Sequence, residues 1–285
     1  MPVLELETAA RKPPPSQADT LGRDVNRWAW DGLSIAFPLL EAGPAGWREV
    51  ITGAQPTSIV GTVTGGRDNR GQIMVSQVGG APNYLEYVHA PQHLRPTSEI
   101  TVVCRFRWNG TTTVGAGVFA KVHTVNDQTS WSVATPDTAG RLGGTVSTSG
   151  SPTGQNTDAI STSILSTTDF TNVFLRWRDG EILTVTILKD GGASAGNTAA
   201  SSAAVTGPIS YTTGPMRIFG GDSASLQNSP GGDLSTLLVY ARKLTDAECR
   251  ALAVDPFLPF RRPIRGAGRL AGEPPAWQAG QVMVG

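Results

Sequence analysis

Few side chains in this sequence are spaced for chemistry. Retaining glycoside hydrolysis needs two carboxylates about 5 Å apart, and on a strand that means alternate residues pointing the same way. The nearest acidic pairs are Asp246 with Glu248 and Glu5 with Glu7. The first sits where a helix start explains it, and the second lies in a stretch without apolar periodicity. No catalytic residues are assigned, and an enzyme is not expected. His89 and His93 are four apart, a zinc-ligand spacing on a helix, but Pro91 between them breaks that helix. His123 stands alone, and no Gly-x-Ser-x-Gly elbow precedes an ordered Asp and His.

Binding residues are easier to name. Asp222, Asn228 and Asp233 fall in one Gly/Ser-rich loop and its exit. Three oxygen donors suit calcium, a hard cation, and Asp and Asn are equally the ordinary residues of turns. Beyond calcium the residues suggest no cofactor. Cys104 and Cys249 have no metal spacing and form no disulfide framework, so two buried free thiols are expected. Trp47, Trp131 and Trp177 could stack on sugars, although the last two sit in strand patterns and belong to the core. Trp47 and Trp277 are better placed to anchor on another protein, with Arg261 and Arg262 in the same tail as Trp277.

The elements that must position these residues are strands. With 285 residues, 34 Gly, 20 Pro and only 16% charged side chains, the chain reads as many short strands joined by turns, in one large sandwich. Cationic and anionic side chains number 23 each, so no global field recruits nucleic acid or an anionic membrane. No stretch approaches the ~18 apolar residues of a membrane span, and MPVLELETAARKPPPSQ has no apolar core of signal-peptide length, so neither membrane insertion nor a secretory route is expected.

Residues 1–25, with the run Lys12-Pro13-Pro14-Pro15, have no periodicity and read as an extended arm that orders on a neighbouring subunit. Residues 261–285, rich in Gly, Pro and Ala, read as a second arm. Between them, short strands are expected over 58–63, 72–78, 83–88, 118–122, 130–134 and 143–147. The cleanest alternation runs from Ser98 to Trp108, with Ile100, Val102, Cys104, Phe106 and Trp108 on one face and Arg105 and Arg107 on the other. That pattern predicts a half-buried antiparallel strand. Residues 148–168 read as a polar loop holding one strand at 159–165, and 193–204 as an exposed loop. Asp179-Gly180, between strands 172–178 and 181–188, predicts a two-residue hairpin with both turn residues at positive φ.

The end of the chain is the most specific. A strand from Met216 to Phe219, the polar loop and a strand from Leu234 to Ala241 precede Thr245 and Glu248, which form a capping box with Asp246 favouring the helix N-terminus. Asp255-Pro256 stops that helix. Gly232-Asp233-Leu234 and Tyr240-Ala241-Arg242-Lys243-Leu244-Thr245-Asp246-Ala247-Glu248 resemble the end of a laminin-G-like, concanavalin-A-like jelly roll. The stretches Trp28–Leu39 and Ser98–Trp108 and the Asp179-Gly180 hairpin extend the resemblance over about residues 26–260. Asp255-Pro256-Phe257-Leu258-Pro259-Phe260 resembles the variant found in bacteriophage and prophage structural proteins.

This resemblance implies an all-β, two-sheet antiparallel sandwich with one short C-terminal helix and an arm at each end. It implies calcium on rim loops, for which Asp222, Asn228 and Asp233 are the candidates. It further implies a non-enzymatic virion component, a capsid decoration, fibre or tail-associated protein, assembled in the host cytoplasm as a homo-oligomer. Its arms would contact other virion proteins and its outward sandwich host glycans. The alternative is a carbohydrate-binding module of an extracellular bacterial protein.

Overall fold

The computed structural model describes residues 27–37, 47–67, 73–77, 83–88, 95–110, 116–122, 129–135, 139–148, 156–194, 198–211, 214–220 and 230–260. Both expected arms, and with them Trp277, Arg261 and Arg262, lie outside the described residues. So do Asp222, Asn228 and the three histidines.

The chain forms two antiparallel sheets. The eight-stranded sheet runs β13 (Ala199–Ala204), β12 (Ile182–Lys189), β11 (Thr171–Arg178), β6 (Glu99–Trp108), β15 (Gly232–Tyr240), β4 (Ile73–Gln77) and β3 (Val63–Arg67), with β1 (Leu33–Phe37) also paired to β15. The seven-stranded sheet runs β10 (Asn156–Ile164), β9 (Arg141–Ser147), β8 (Thr129–Thr135), β7 (Ala116–Val122), β14 (Met216–Ile218), β5 (Tyr84–Tyr87) and β2 (Ser58–Val60). Their inner faces meet over one apolar core that includes Phe37, Trp47, Phe106, Phe119, Trp131, Trp177 and Phe219. Burying each such side chain contributes about 1.5–3 kcal/mol before entropy is counted. The sheets press closely at β9, where a Cβ on Gly144 would stand 1.9 Å from Leu175 Cδ1.

The cleanest strand is buried on both faces, which corrects the half-buried expectation for β6. Its inner side carries the core residues read from the sequence, with Cys104 among them. Its outer side contributes Val103 to a second apolar cluster with Phe174, Leu238, Tyr240, Leu244 and Leu252. A helical layer built from α1 (Arg27–Trp30), α2 (Asp246–Val254) and a 3-10 turn (Leu258–Phe260) covers this cluster. Trp30 meets Phe260 edge-on at 6.4 Å. Thus the Asp-Pro-x-x-x-Phe segment acts locally as a clasp over the outer sheet face.

The capping box of α2 forms in both directions, with Thr245 Oγ1 accepting from Glu248 N–H and Glu248 Oε2 accepting from Thr245 N–H at 2.8 Å. Cys249, Leu252 and Ala253 are its buried residues. Burial pushes the Cys249 thiol up to about 12 and raises Cys104 further, so both thiols stay protonated.

Three other expectations change. At the Asp179-Gly180 turn only Gly180 has positive φ (78°), and Glu181 N–H donates to Arg178 O at 2.9 Å. One positive φ at the third position is type II geometry, not the expected pair. Residues 199–204 are the edge strand β13, because backbone pairing to β12 needs no apolar side chains. The strand expected near 159–165 begins earlier, at Asn156, and the single strand expected over 58–63 divides into β2 and β3, one in each sheet.

Candidate functional site

Register places one transverse row across the outer face of the seven-stranded sheet. Ser58 pairs with Glu86, Glu86 with Arg217, Arg217 with Ala120, Ala120 with Ser132 and Ser132 with Thr145. The next row, Leu85, Ile218, Phe119, Val133 and Gly144, faces the core, so strand alternation turns the first row outward. Thr145 pairs in turn with Asp158 on β10. Ser58, Glu86 and Thr145 are half-buried, and the middle of the row is shielded: Arg217 is 4% exposed, Ala120 0% and Ser132 1%.

Hydrogen bonding in the row is incomplete. Arg217 Nη2 donates to Glu86 Oε1 at 3.1 Å, and the guanidinium lies 4.7 Å above the Tyr84 ring. Among the described residues, Arg217 Nε and Nη1 have no partner, nor do the hydroxyls of Ser132 and, further along β8, Ser130. A buried polar group left without a partner costs about 1–3 kcal/mol, so these four atoms represent an appreciable expense unless something else satisfies them. Ser132 and Arg217 stand two strands apart, about 10 Å, with only the Ala120 methyl between them.

The chain turns sharply beside Arg217. Phe219 adopts φ 62°, costly for a bulky side chain, and in doing so points its ring into the core, 6.4 Å from Phe106. β14 ends at this turn, and the following Gly220 lies against the Arg217 side chain, where a Cβ would stand 2.6 Å from Arg217 Cδ.

The polar groups outside the eight-stranded sheet are arranged differently. Arg105, 1% exposed, donates to both oxygens of Asp190 at 3.0 and 2.5 Å and to Ser235 Oγ at 2.8 Å. Arg107 meets Asp233 at 2.6 Å, and Phe170 stacks against both guanidinium groups. Arg176 meets Asp246 at 2.5 Å. Glu99, Glu181 and Glu248 are likewise held by Arg178, Lys243 and Arg242.

Of the residues singled out from sequence, Asp233 is therefore an ion-pair partner of Arg107. Its two companions in the calcium reading lie outside the described residues. Among the described residues no three His, Cys, Asp or Glu side chains cluster to hold a metal ion. Trp47 is fully buried, and its carbonyl accepts from Tyr87 O–H at 2.8 Å, so it anchors the core and not a partner protein. Trp131 and Trp177 are core, as their strand positions implied. Lys121 points inward on β7, paired in register with Trp131 and donating to Gly214 O. Burial, then the nearby Arg95, brings its amine down to about 7.

Sequence reading missed Arg217, Glu86 and Ser132. No local motif marks them, since the row exists only once seven strands are aligned.

No protein-family model and no curated protein matches the sequence. Solved structures do. Botulinum neurotoxin type C, whose cell entry depends on interaction with two ganglioside molecules, matches with TM-score 0.55 and 9% identity, over 81% of this chain and 51% of that one. Trypanosoma rangeli sialidase, in complex with a difluoro nononic acid, matches with TM-score 0.53 and 12% identity over 80% and 33%. Domain 4 of a GH43 extracellular arabinanase from Geobacillus stearothermophilus, in complex with arabinotriose, matches with TM-score 0.53 and 12% identity over 78% and 98%. The likeness is one of fold. It places this chain among two-sheet β-sandwiches of the kind found in binding domains. The chain spans about half the length of the neurotoxin chain and a third of the sialidase.

Proposed function

We propose that this chain is a non-catalytic glycan-binding module whose binding face is the outer side of the seven-stranded sheet. The supporting observation is the row itself, in which N–H and O–H donors on β14 and β8 lack acceptors among the described residues; each of these atoms is under 1 Å² exposed, so a ligand reaches them only where the groups over the row give way. A saccharide offers many hydroxyl and ring oxygens in a compact frame. Hydrogen bonds from a charged donor to such oxygens are worth about 1.5–3 kcal/mol each. The ganglioside dependence of the neurotoxin and the arabinotriose bound to the arabinanase domain support the same ligand class on the same fold. Pairing of the carboxylates outside the eight-stranded sheet with cations favours binding over hydrolysis, which needs a free acid and base.

The test is a glycan array probed with the full chain and with Arg217→Met. Retention of a defined glycan set by the wild type, with at least a tenfold loss in the variant, is the expected result. Equal binding by both proteins would remove the row from the site, and no binding by either would end the glycan reading.

A second reading, a virion component whose outward face touches host glycans, is supported by the resemblance at Asp255–Phe260 and by the low-complexity termini. In the structure that segment also has a local task, since Asp255 caps α2 and Phe260 packs on Trp30. Mass spectrometry of purified particles separates the two. Stoichiometric copies on a capsid or tail place the module on a virion, whereas protein found only free or on polysaccharide makes it an extracellular module.

A further inference from the structure

The helical layer over the eight-stranded sheet leaves apolar surface of its own in the open. Trp28, Trp30, Val50, Ile51, Leu258 and Phe260 pack against the outer cluster yet stay half-buried, and Val254 on α2 is 65% exposed. The patch is held from beneath. Arg242 donates to the carbonyls of Trp28 at 2.8 Å and Asp31 at 2.7 Å while meeting Glu248, Tyr240 O–H donates to Ala29 O at 3.0 Å, and Val50 N–H donates to Ala36 O at 2.8 Å. Three separate stretches of chain are thereby fixed around one open apolar surface, the kind of surface on which something docks. Both ends of the sandwich meet here as well, since α1 opens the described chain and its Trp30 touches Phe260.

We propose that residues 261–285 cover this patch on their own chain, with Trp277 as the main contact. They continue from Phe260, inside the patch, so they meet it at an effective concentration on the order of millimolar, and even a weak contact is then populated. From Phe260 to Trp277 the chain can extend roughly 55–60 Å, so the tether does not restrict where on the patch the indole lands. The segment carries Ile264, Leu270, Trp277 and the run Val282-Met283-Val284, spaced by Gly, Pro and Ala. Tryptophan buries more area than any of these aliphatic side chains and is the natural anchor. Residues 1–26 lead into the same place but hold no aromatic side chain. The patch lies across the core from the seven-stranded sheet, so covering it leaves the proposed glycan face untouched, and the two proposals are tested independently.

The test uses the full chain with photoreactive benzoylphenylalanine in place of Trp277, irradiated as a mixture of unlabelled and nitrogen-15-labelled protein and mapped by mass spectrometry. The expected result is cross-links from position 277 to residues 28–30, 50–51 or 254–260, each joining two peptides of the same label. Cross-links that join one labelled and one unlabelled peptide would mean that the segment of a second copy occupies the patch. Cross-links elsewhere, or none, would leave the patch without this occupant. Either result overturns the proposal. Hydrogen exchange on chains without the photoreactive group checks the same point. Trp277→Ala should speed exchange about fivefold or more at the amides of Asp31, Leu258 and Phe260, whose turns carry the patch, and leave β6 unchanged. Equal exchange at those amides in wild type and variant would also overturn it.

Discussion

On the outer face of the eight-stranded sheet, Arg105, Arg107 and Arg176 each meet an aspartate, and the apolar side chains beside them disappear beneath α1 and α2. On the outer face of the seven-stranded sheet, Arg217 meets one glutamate oxygen and keeps two nitrogens without acceptors, beside two serines in the same condition. The first face has unpaired atoms too, Asn172 Oδ1, Arg176 Nε and Thr236 Oγ1, but Asn172 and Arg176 are otherwise hydrogen-bonded, and the three are set among completed ion pairs. One face carries a dense set of ion pairs made by the protein's own groups. The other has a single ion pair and leaves unpaired donors on β14 and β8, with β7 between them, among the described residues.

If that contrast is real, damage to the first face should cost stability and damage to the second should not. The largest effect belongs to Asp190→Ala, which strips the buried Arg105 of its carboxylate and Asn172 of an acceptor. Breaking such a pair costs about 3–5 kcal/mol. Urea denaturation followed by circular dichroism measures it, and a loss below about 1 kcal/mol would mean that the network is not what holds this face.

A smaller effect concerns the cap. Burial alone would raise the Glu248 carboxyl, but the Arg242 guanidinium and the Thr245 N–H and hydroxyl outweigh it and hold the pKa below its ordinary 4.5. A carboxyl lowered on folding contributes stability that is present above its unfolded value and lost as pH falls through its folded one. The helical layer should therefore loosen below about pH 4.5, which the half-buried Trp28 and Trp30 report by fluorescence. Glu248→Gln should flatten that part of the acid transition. Thr245→Ala should lower stability by about 1 kcal/mol at neutral pH.

The smallest effect, and the sharpest contrast, is Ser132→Ala. Removing a hydroxyl that has no partner should leave stability unchanged or raise it by up to about 1 kcal/mol. A clear loss in thermal denaturation would show that the hydroxyl is satisfied within the protein, and the difference between the faces would shrink accordingly.

Much of this fold could be read locally. Alternation marked β6 and the strands around it, and the Thr245–Glu248 box with Asp255-Pro256 bounded α2, because caps and period-two patterns are properties of neighbouring residues. The burial of β6 on both sides was not readable, since what covers Val103 comes from the far ends of the described chain, α1 and α2. Trp47 looked available as an anchor for the same reason, as nothing next to it in sequence tells that Tyr87 reaches its carbonyl. The candidate row was least legible of all. Arg217 sits in a three-residue strand, and its neighbours Ala120, Ser132 and Glu86 are 97, 85 and 131 residues away; register alone joins them.

The central measurement is an amide chemical-shift titration of the full chain with the tightest-binding oligosaccharide from the array. The expected result is a set of perturbations concentrated on β14, β7, β8 and β5, with Arg217, Ala120, Ser132 and Glu86 among the largest and with the helical layer over β6 unmoved. Perturbations centred on the helical layer or on the Arg105–Asp190 network, with the row silent, would contradict the assignment of the seven-stranded sheet as the binding face.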